Sequence, residues 1–262
     1  LFLYYEKEQK VIVMQMSMNF THDQRYPTVL ERLQAAWPVK EKQNADPLSQ
    51  LVFMVISDNT PSALALAAFQ RLRARFPRWS DLRDAAPDMV LATLGGVDRC
   101  LDKATTLPRL IQAIEDRHGL IELDFLAGWT TEAAREWLEA LPGIDSMMSA
   151  ATLNFSTLRR TVMTLDKDIA RVLRRFGLVP VGAPLSALDR IVMENIPSEW
   201  KAPEMSALYQ GMTKIAETVC HRGKPECKHC PLNDLCASAN RSAATVLAFP
   251  SSRTRQQQSA AS

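Results

Sequence analysis

Four of the chain's five cysteines fall in one stretch, CHRGKPECKHCPLNDLC, residues 220–236, with the spacing C-x6-C-x2-C-x5-C. Sulfur this concentrated is there to bond to something, and three partners are open: other thiols, a zinc ion or an iron–sulfur cluster. Disulfides are rare inside cells, and the opening stretch LFLYYEKEQKVIVMQMSMNF is broken by charges and lacks a small-residue cleavage site, so it does not read as an export signal. Structural zinc sites usually pair two short C-x2-C knuckles across a longer loop. Here a single knuckle, Cys227 and Cys230, is flanked by longer arms to Cys220 and Cys236. One short wrapping loop suits a cubane better than a single ion, so the spacing favours iron–sulfur over zinc and leaves both open. His221 and His229 are read as surface residues beside a complete set of four thiols, and Cys100 as an ordinary thiol.

Around this loop the chain reads as helical nearly throughout. In DPLSQLVFMVIS, Asp46 is placed as an N-cap and Pro47 at the first helical position. SALALAAFQRLRARF, APDMVLATL, KATTLPRLIQAIEDRHG and TTEAAREWLEAL follow with apolar residues at helical spacing. LDKDIARVLRRFGL sets Leu165, Ile169, Val172, Leu173 and Phe176 on one face, with Gly177 as its stop. LSALDRIVMENI and PEMSALYQGMTKIAETV complete an all-α set without a βαβ rhythm or a solenoid repeat. The longest apolar core stretch, LVFMVI, is too short to cross a bilayer, so no membrane association is expected. The formal net charge is only +2 on 262 residues, so an acidic partner has to be met by a local basic patch.

The cysteine loop, including Cys-Pro-Leu after its third cysteine, resembles the [4Fe–4S] loop of the endonuclease III and MutY-type DNA glycosylases, the helix-hairpin-helix superfamily of base-excision repair. The resemblance implies an upstream hairpin, L-P-G-[VI]-G, and Leu141, Pro142, Gly143 and Ile144 supply it within LEALPGIDSMMSAATLNF. Such a hairpin presents backbone N–H groups at a helix start, which hold a DNA phosphate without reading sequence. Asp145 stands where the family carries a second Gly, so it is expected to point away from the phosphate or to cap the helix.

Further on, LDKDIARVL is similar to the family's segment around its catalytic Asp, with Asp166 at that place and Ile169, Arg171 and Val172 in step. A helix N-terminus favours a carboxylate as its anion. A fixed anion there can stabilise the positive charge that develops on a sugar as its bond to a base breaks. Asn59, in PLSQLVFMVISDNTPSALA, falls where the family has a Gln that fills the gap left by a flipped base. Bifunctional members carry a Schiff-base Lys at the position of Met147, a register that Leu153 and Asn154 support; Met has no amine. Met147 and Met148 can instead line a base pocket.

The resemblance implies two lobes: residues 45–160 as a helical barrel with the hairpin, and 24–44 with 161–238 as an iron–sulfur lobe held by Cys220, Cys227, Cys230 and Cys236. Residues 1–20 are set aside as an extension of uncertain origin, with Met14, Met16 and Met18 as alternative starts, and residues 239–262 are expected to be a disordered tail. Double-stranded DNA with a damaged or mispaired base would lie between the lobes, with Arg159, Arg160, Arg171, Arg174 and Arg175 as its basic surface. The expected function is a monofunctional DNA glycosylase, a monomer that is cytoplasmic and nucleoid-associated in a bacterium or otherwise intracellular, with Asp166 as its carboxylate and no AP lyase activity. Two alternatives stand beside it: a catalytically weak or inert DNA- or lesion-binding relative, and a bifunctional glycosylase/AP lyase using a displaced lysine; Lys103 and Lys167 are present, but neither lies at the family's position.

Overall fold

The computed structural model describes residues 23–38 and 44–239. The expectations for residues 1–20 and 240–262 lie outside them. Eleven α-helices make up the described chain: α1 Arg25–Ala36, α2 Pro47–Ser57, α3 Ser62–Arg75, α4 Trp79–Arg83, α5 Pro87–Thr93, α6 Cys100–His118, α7 Thr131–Glu139, α8 Ser146–Phe155, α9 Lys167–Phe176, α10 Leu185–Asn195 and α11 Ala202–Thr218. Among the described residues there is no strand, only one isolated bridge between Ala45 and Ser156. No described helix is long and apolar enough to cross a membrane.

The helix boundaries follow from capping chemistry. Asp46 caps α2 by accepting from Ser49 N, with Pro47 just inside, and Thr130 caps α7 through Ala133 N. Gly177 closes α9 with φ +89°, where a side chain would be strained. Helix α6 begins at Cys100, three residues before the start read from the sequence at Lys103, and the five-residue α4 carries too short a pattern to be read at all.

Buried side chains form two clusters. One runs from Leu48 to Val162 and is built by α2 to α8. The other joins Tyr26–Leu33 of α1 to Met163–Leu232 of the chain's last third. The chain therefore starts in one lobe, builds the other, and returns. Within the second lobe α1 and α11 approach so closely that a Cβ on Gly211 would lie 2.8 Å from Leu33 Cβ. Arg135 of α7 and Asp189 of α10 form a 2.8 Å ion pair between the lobes.

The close approach at Gly211 gives a direct check. Gly211→Ala should lower unfolding stability by about 1–3 kcal/mol, the usual cost of overpacking, read as a reduced urea midpoint.

Candidate active site and metal centre

The hairpin is the turn between α7 and α8. Leu141 and Ile144 are buried in the first lobe's core and pin the turn. Gly143 sits between them with φ +79°, and a Cβ there would meet Thr106 Cγ2 at 2.7 Å, so only glycine fits. Asp145 is the N-cap of α8: its Oδ1 accepts from Met148 N at 2.8 Å. The acidic residue in the family's glycine position is thus committed to its own helix. Met148 is buried core, so of the two methionines only Met147 faces open space.

A groove of about 2730 Å³ separates the lobes, and its walls include Asn59, Asp145, Met147, Asp166 and Tyr209. Asp145, Met147, Asn59 and Asp166 are thereby brought to one groove; of the hairpin residues before Asp145, Leu141 and Ile144 are buried and Gly143 is exposed. Asp166 is the N-cap of α9, and its Oδ1 accepts from Asp168 N at 2.8 Å and Ile169 N at 2.7 Å. No described residue bonds its Oδ2, so the carboxylate is fixed by one oxygen and available through the other. Next to it on α11, the Tyr209 ring packs on Phe155 with centroids 5.1 Å apart. Burial pushes the Tyr209 phenol up to about 12, and the negative charge of Asp166 adds to the shift. Tyr209 was not read from the sequence; its place on α11 one position after core residue Leu208 was the available signal.

The basic residues divide sharply. Arg160 donates to the carbonyls of Leu126, Ala127 and Trp129, and Arg174 to Ala183 O. Arg171 binds Asp168 and Cys220 O, while Arg175 binds His221 O and Arg222 O. These four are half-buried and spend guanidinium donors on carbonyls that short loops leave without partners. Arg159 alone of the five is an exposed groove residue with no side-chain partner among the described residues, on a turn with φ +48°. Asn59 is also left-handed, φ +51°, and its Nδ2 donates to Asp58 Oδ1 at 2.9 Å. Of the two lysines that lie off the family's position, Lys167 is exposed on the groove beside Asp166, whereas Lys103 is buried.

Cys220, Cys227, Cys230 and Cys236 line one small cavity with Val172, Phe176, Ile215, Val219 and Leu232. Among the described residues no three His, Cys, Asp or Glu stand close enough to share a single metal ion. Four thiols lining one largely apolar cavity are a donor set of the kind that an iron–sulfur cluster uses. Burial raises the Cys230 thiol above its ordinary value, and the other three cysteines add to that. His221 and His229 instead pair loosely with Glu226, at 3.8 and 3.4 Å, on the surface.

No protein-family profile matches the chain. It is 26% identical over 208 residues to the thymine-DNA glycosylase of Aeropyrum pernix, covering 76% of this chain and 86% of that protein. It is 24% identical over 187 residues to the DNA glycosylase/AP lyase ROS1 of Arabidopsis thaliana, covering 66% of this chain and 13% of that much longer protein. Among solved structures, a trapped endonuclease III–DNA covalent intermediate superposes with a TM-score of 0.69 at 18% identity, covering 84% of this chain and 98% of that one. The chain has the fold of the helix-hairpin-helix DNA glycosylases, and the resemblance drawn from its cysteine loop and hairpin is borne out.

The hairpin geometry makes two quantitative demands. Asp145→Ala should cost about 1 kcal/mol of stability through loss of the α8 cap, and Asp145→Asn should retain most of it. Gly143→Ala should cost more than Asp145→Ala, since it combines a left-handed φ with the Thr106 clash; urea unfolding of the three variants gives the order.

Proposed function

We propose that this chain is a monofunctional DNA glycosylase that takes a damaged or mispaired base out of duplex DNA and hydrolyses its N-glycosidic bond. The observation that carries the proposal is the Asp166 carboxylate, clamped by two backbone N–H groups through Oδ1, with Oδ2 free on the same groove as the hairpin helix. Double-stranded DNA lies across the groove. The Leu141–Asp145 turn and the start of α8 hold a phosphate, and Asn59 enters the space the flipped base leaves. The base departs with the electron pair of the C1′–N bond, and the sugar cation that forms is stabilised by Asp166 Oδ2. Water then adds to C1′, its proton passing by way of Asp166 to the departing base. Met147, half-buried on the groove, gives the base an adaptable apolar surface in place of a nucleophile.

The likeness to a thymine-DNA glycosylase and to DNA-bound endonuclease III supports a DNA substrate and base removal. Relatives include a glycosylase/AP lyase, so lyase chemistry is decided by this chain's own residues. Met147 cannot form a Schiff base, and the Lys103 amine is committed to Ile56 O, Asp58 O and Thr60 Oγ1. The exposed groove position of Lys167 favours one second reading, a bifunctional enzyme with a displaced lysine. Cys220, Cys227, Cys230 and Cys236 would hold a [4Fe–4S] cluster, which supplies a structural brace for the second lobe.

Base release tests the proposal. On a panel of lesion-bearing duplexes, strand breaks should appear only after hot alkali, and Asp166→Asn should reduce them on the order of 100-fold or more. Borohydride should trap no covalent adduct; an adduct lost in Lys167→Ala would establish the second reading. Absence of release from every duplex, with DNA binding intact, would mark the chain as an inert lesion-binding relative. The purified protein should be brown, with iron and inorganic sulfide in equal amounts; zinc without iron would overturn the cluster assignment.

A further inference from the structure

Lys103 is the one charged side chain among the described residues that is buried, at 5% exposure. A buried ammonium persists only when its donors are matched, and burial here lowers its pKa, with Asp58 and Asp98 partly opposing the shift. Its Nζ donates to Ile56 O at 2.9 Å, Asp58 O at 2.5 Å and Thr60 Oγ1 at 3.2 Å, one acceptor for each N–H. All three acceptors belong to the last turn of α2 and the loop after it, where the helix dipole also favours a cation. The same loop is tied twice more through Thr60 Oγ1, which donates to Asp58 O at 3.1 Å and accepts from Asp98 N at 3.1 Å. Between the anchored residues 58 and 60 sits Asn59, exposed on the groove and left-handed. A backbone in that region is held by its surroundings: a Thr60 N–H to Ser57 O bond of 3.0 Å closes the turn around Asn59, and the ammonium and the hydroxyl anchor that turn to the core.

We propose that Lys103 is a positioning residue for DNA: its ammonium locks the 58–60 loop so that Asn59 projects into the groove where a displaced nucleotide leaves a gap. The proposal rests on the groove's reading as the DNA site. Without the ammonium, the Ile56 and Asp58 carbonyls lose their buried donor, and the turn, still closed by Thr60 N–H to Ser57 O, loses its fixed seat on α6. Asn59 then loses its approach to DNA, while Asp166, held by a different helix in the other lobe, keeps its geometry.

The test compares binding to a duplex carrying one tetrahydrofuran abasic-site analogue with binding to the same duplex intact, for the full chain and its Asn59→Ala, Lys103→Met and doubly substituted forms. Asn59→Ala should reduce the preference for the abasic-site duplex about tenfold, Lys103→Met should do the same, and the double variant should lose no more, because coupled residues are not additive. A general structural defect would lower both affinities together and leave their ratio unchanged, which overturns the proposal, as do additive losses. Thr60→Val removes the shared hydroxyl with a smaller change in the core, so it carries the same cycle if Lys103→Met does not fold, and additivity with Asn59→Ala sinks the idea there too. No effect of Asn59→Ala would refute the brace while leaving base release at Asp166 standing. Conversely, an enzyme that releases no base still gives a decisive ratio.

Discussion

The arrangement depends on one set of hydrogen bonds, those fixing the two ends of α9. At its N-terminus Asp166 binds the N–H groups of residues 168 and 169 and so faces the groove. Along its body and at its C-terminal end, Arg171 and Arg175 reach Cys220 O, His221 O and Arg222 O, and Arg175 O lies 3.5 Å from Cys236 Sγ. Ten residues of helix span about 15 Å. The carboxylate and the cysteine loop are therefore opposite ends of one rigid element, with Ile169, Val172, Leu173 and Phe176 fastening its apolar face. This gives a physical reason for crowding sulfur near residues 220–236: whatever holds that loop also holds α9.

The groove is completed from the other lobe. The turn after α7 places buried Leu141 and Ile144 beneath an exposed glycine, so the backbone itself is presented at the start of α8. Asp145 shows how a departure from a familiar pattern is absorbed, since its negative charge serves as a helix cap. Met147 follows, half-buried on the groove and without an amine to offer. Arg135 and Asp189 tie α7 to α10 across the lobes, which restrains the groove's width near these residues.

Much of this was legible in the sequence because its signals are local. Asp46 with Pro47, Gly177, and the apolar face of LDKDIARVLRRF each define a helix end or face within a few residues. The cysteine spacing, the hairpin tetrapeptide and Asp166 are local as well. Partner choice across the fold was not legible. Arginine reads as surface charge in a sequence, yet Arg160, Arg171, Arg174 and Arg175 serve carbonyls as much as 49 residues away, and of the five arginines singled out Arg159 lines the groove. Lys103 left a trace that periodicity could have found: it shares the buried face of α6 with Leu107, Leu110, Ile111 and Ile114, a position where an unpaired charge is costly.

The central claim is that the start of α8 and the Asp166 carboxylate address the same sugar from two sides of one groove. Installing an amine by Met147→Lys tests it most directly, using a duplex with a natural abasic site and borohydride. The account predicts a covalent protein–DNA adduct with Met147→Lys and none with the parent chain, with the adduct reduced when Asp166→Asn is added. A folded Met147→Lys protein that binds the duplex yet traps nothing would contradict it, because residue 147 would then lie out of reach of the sugar that Asp166 serves.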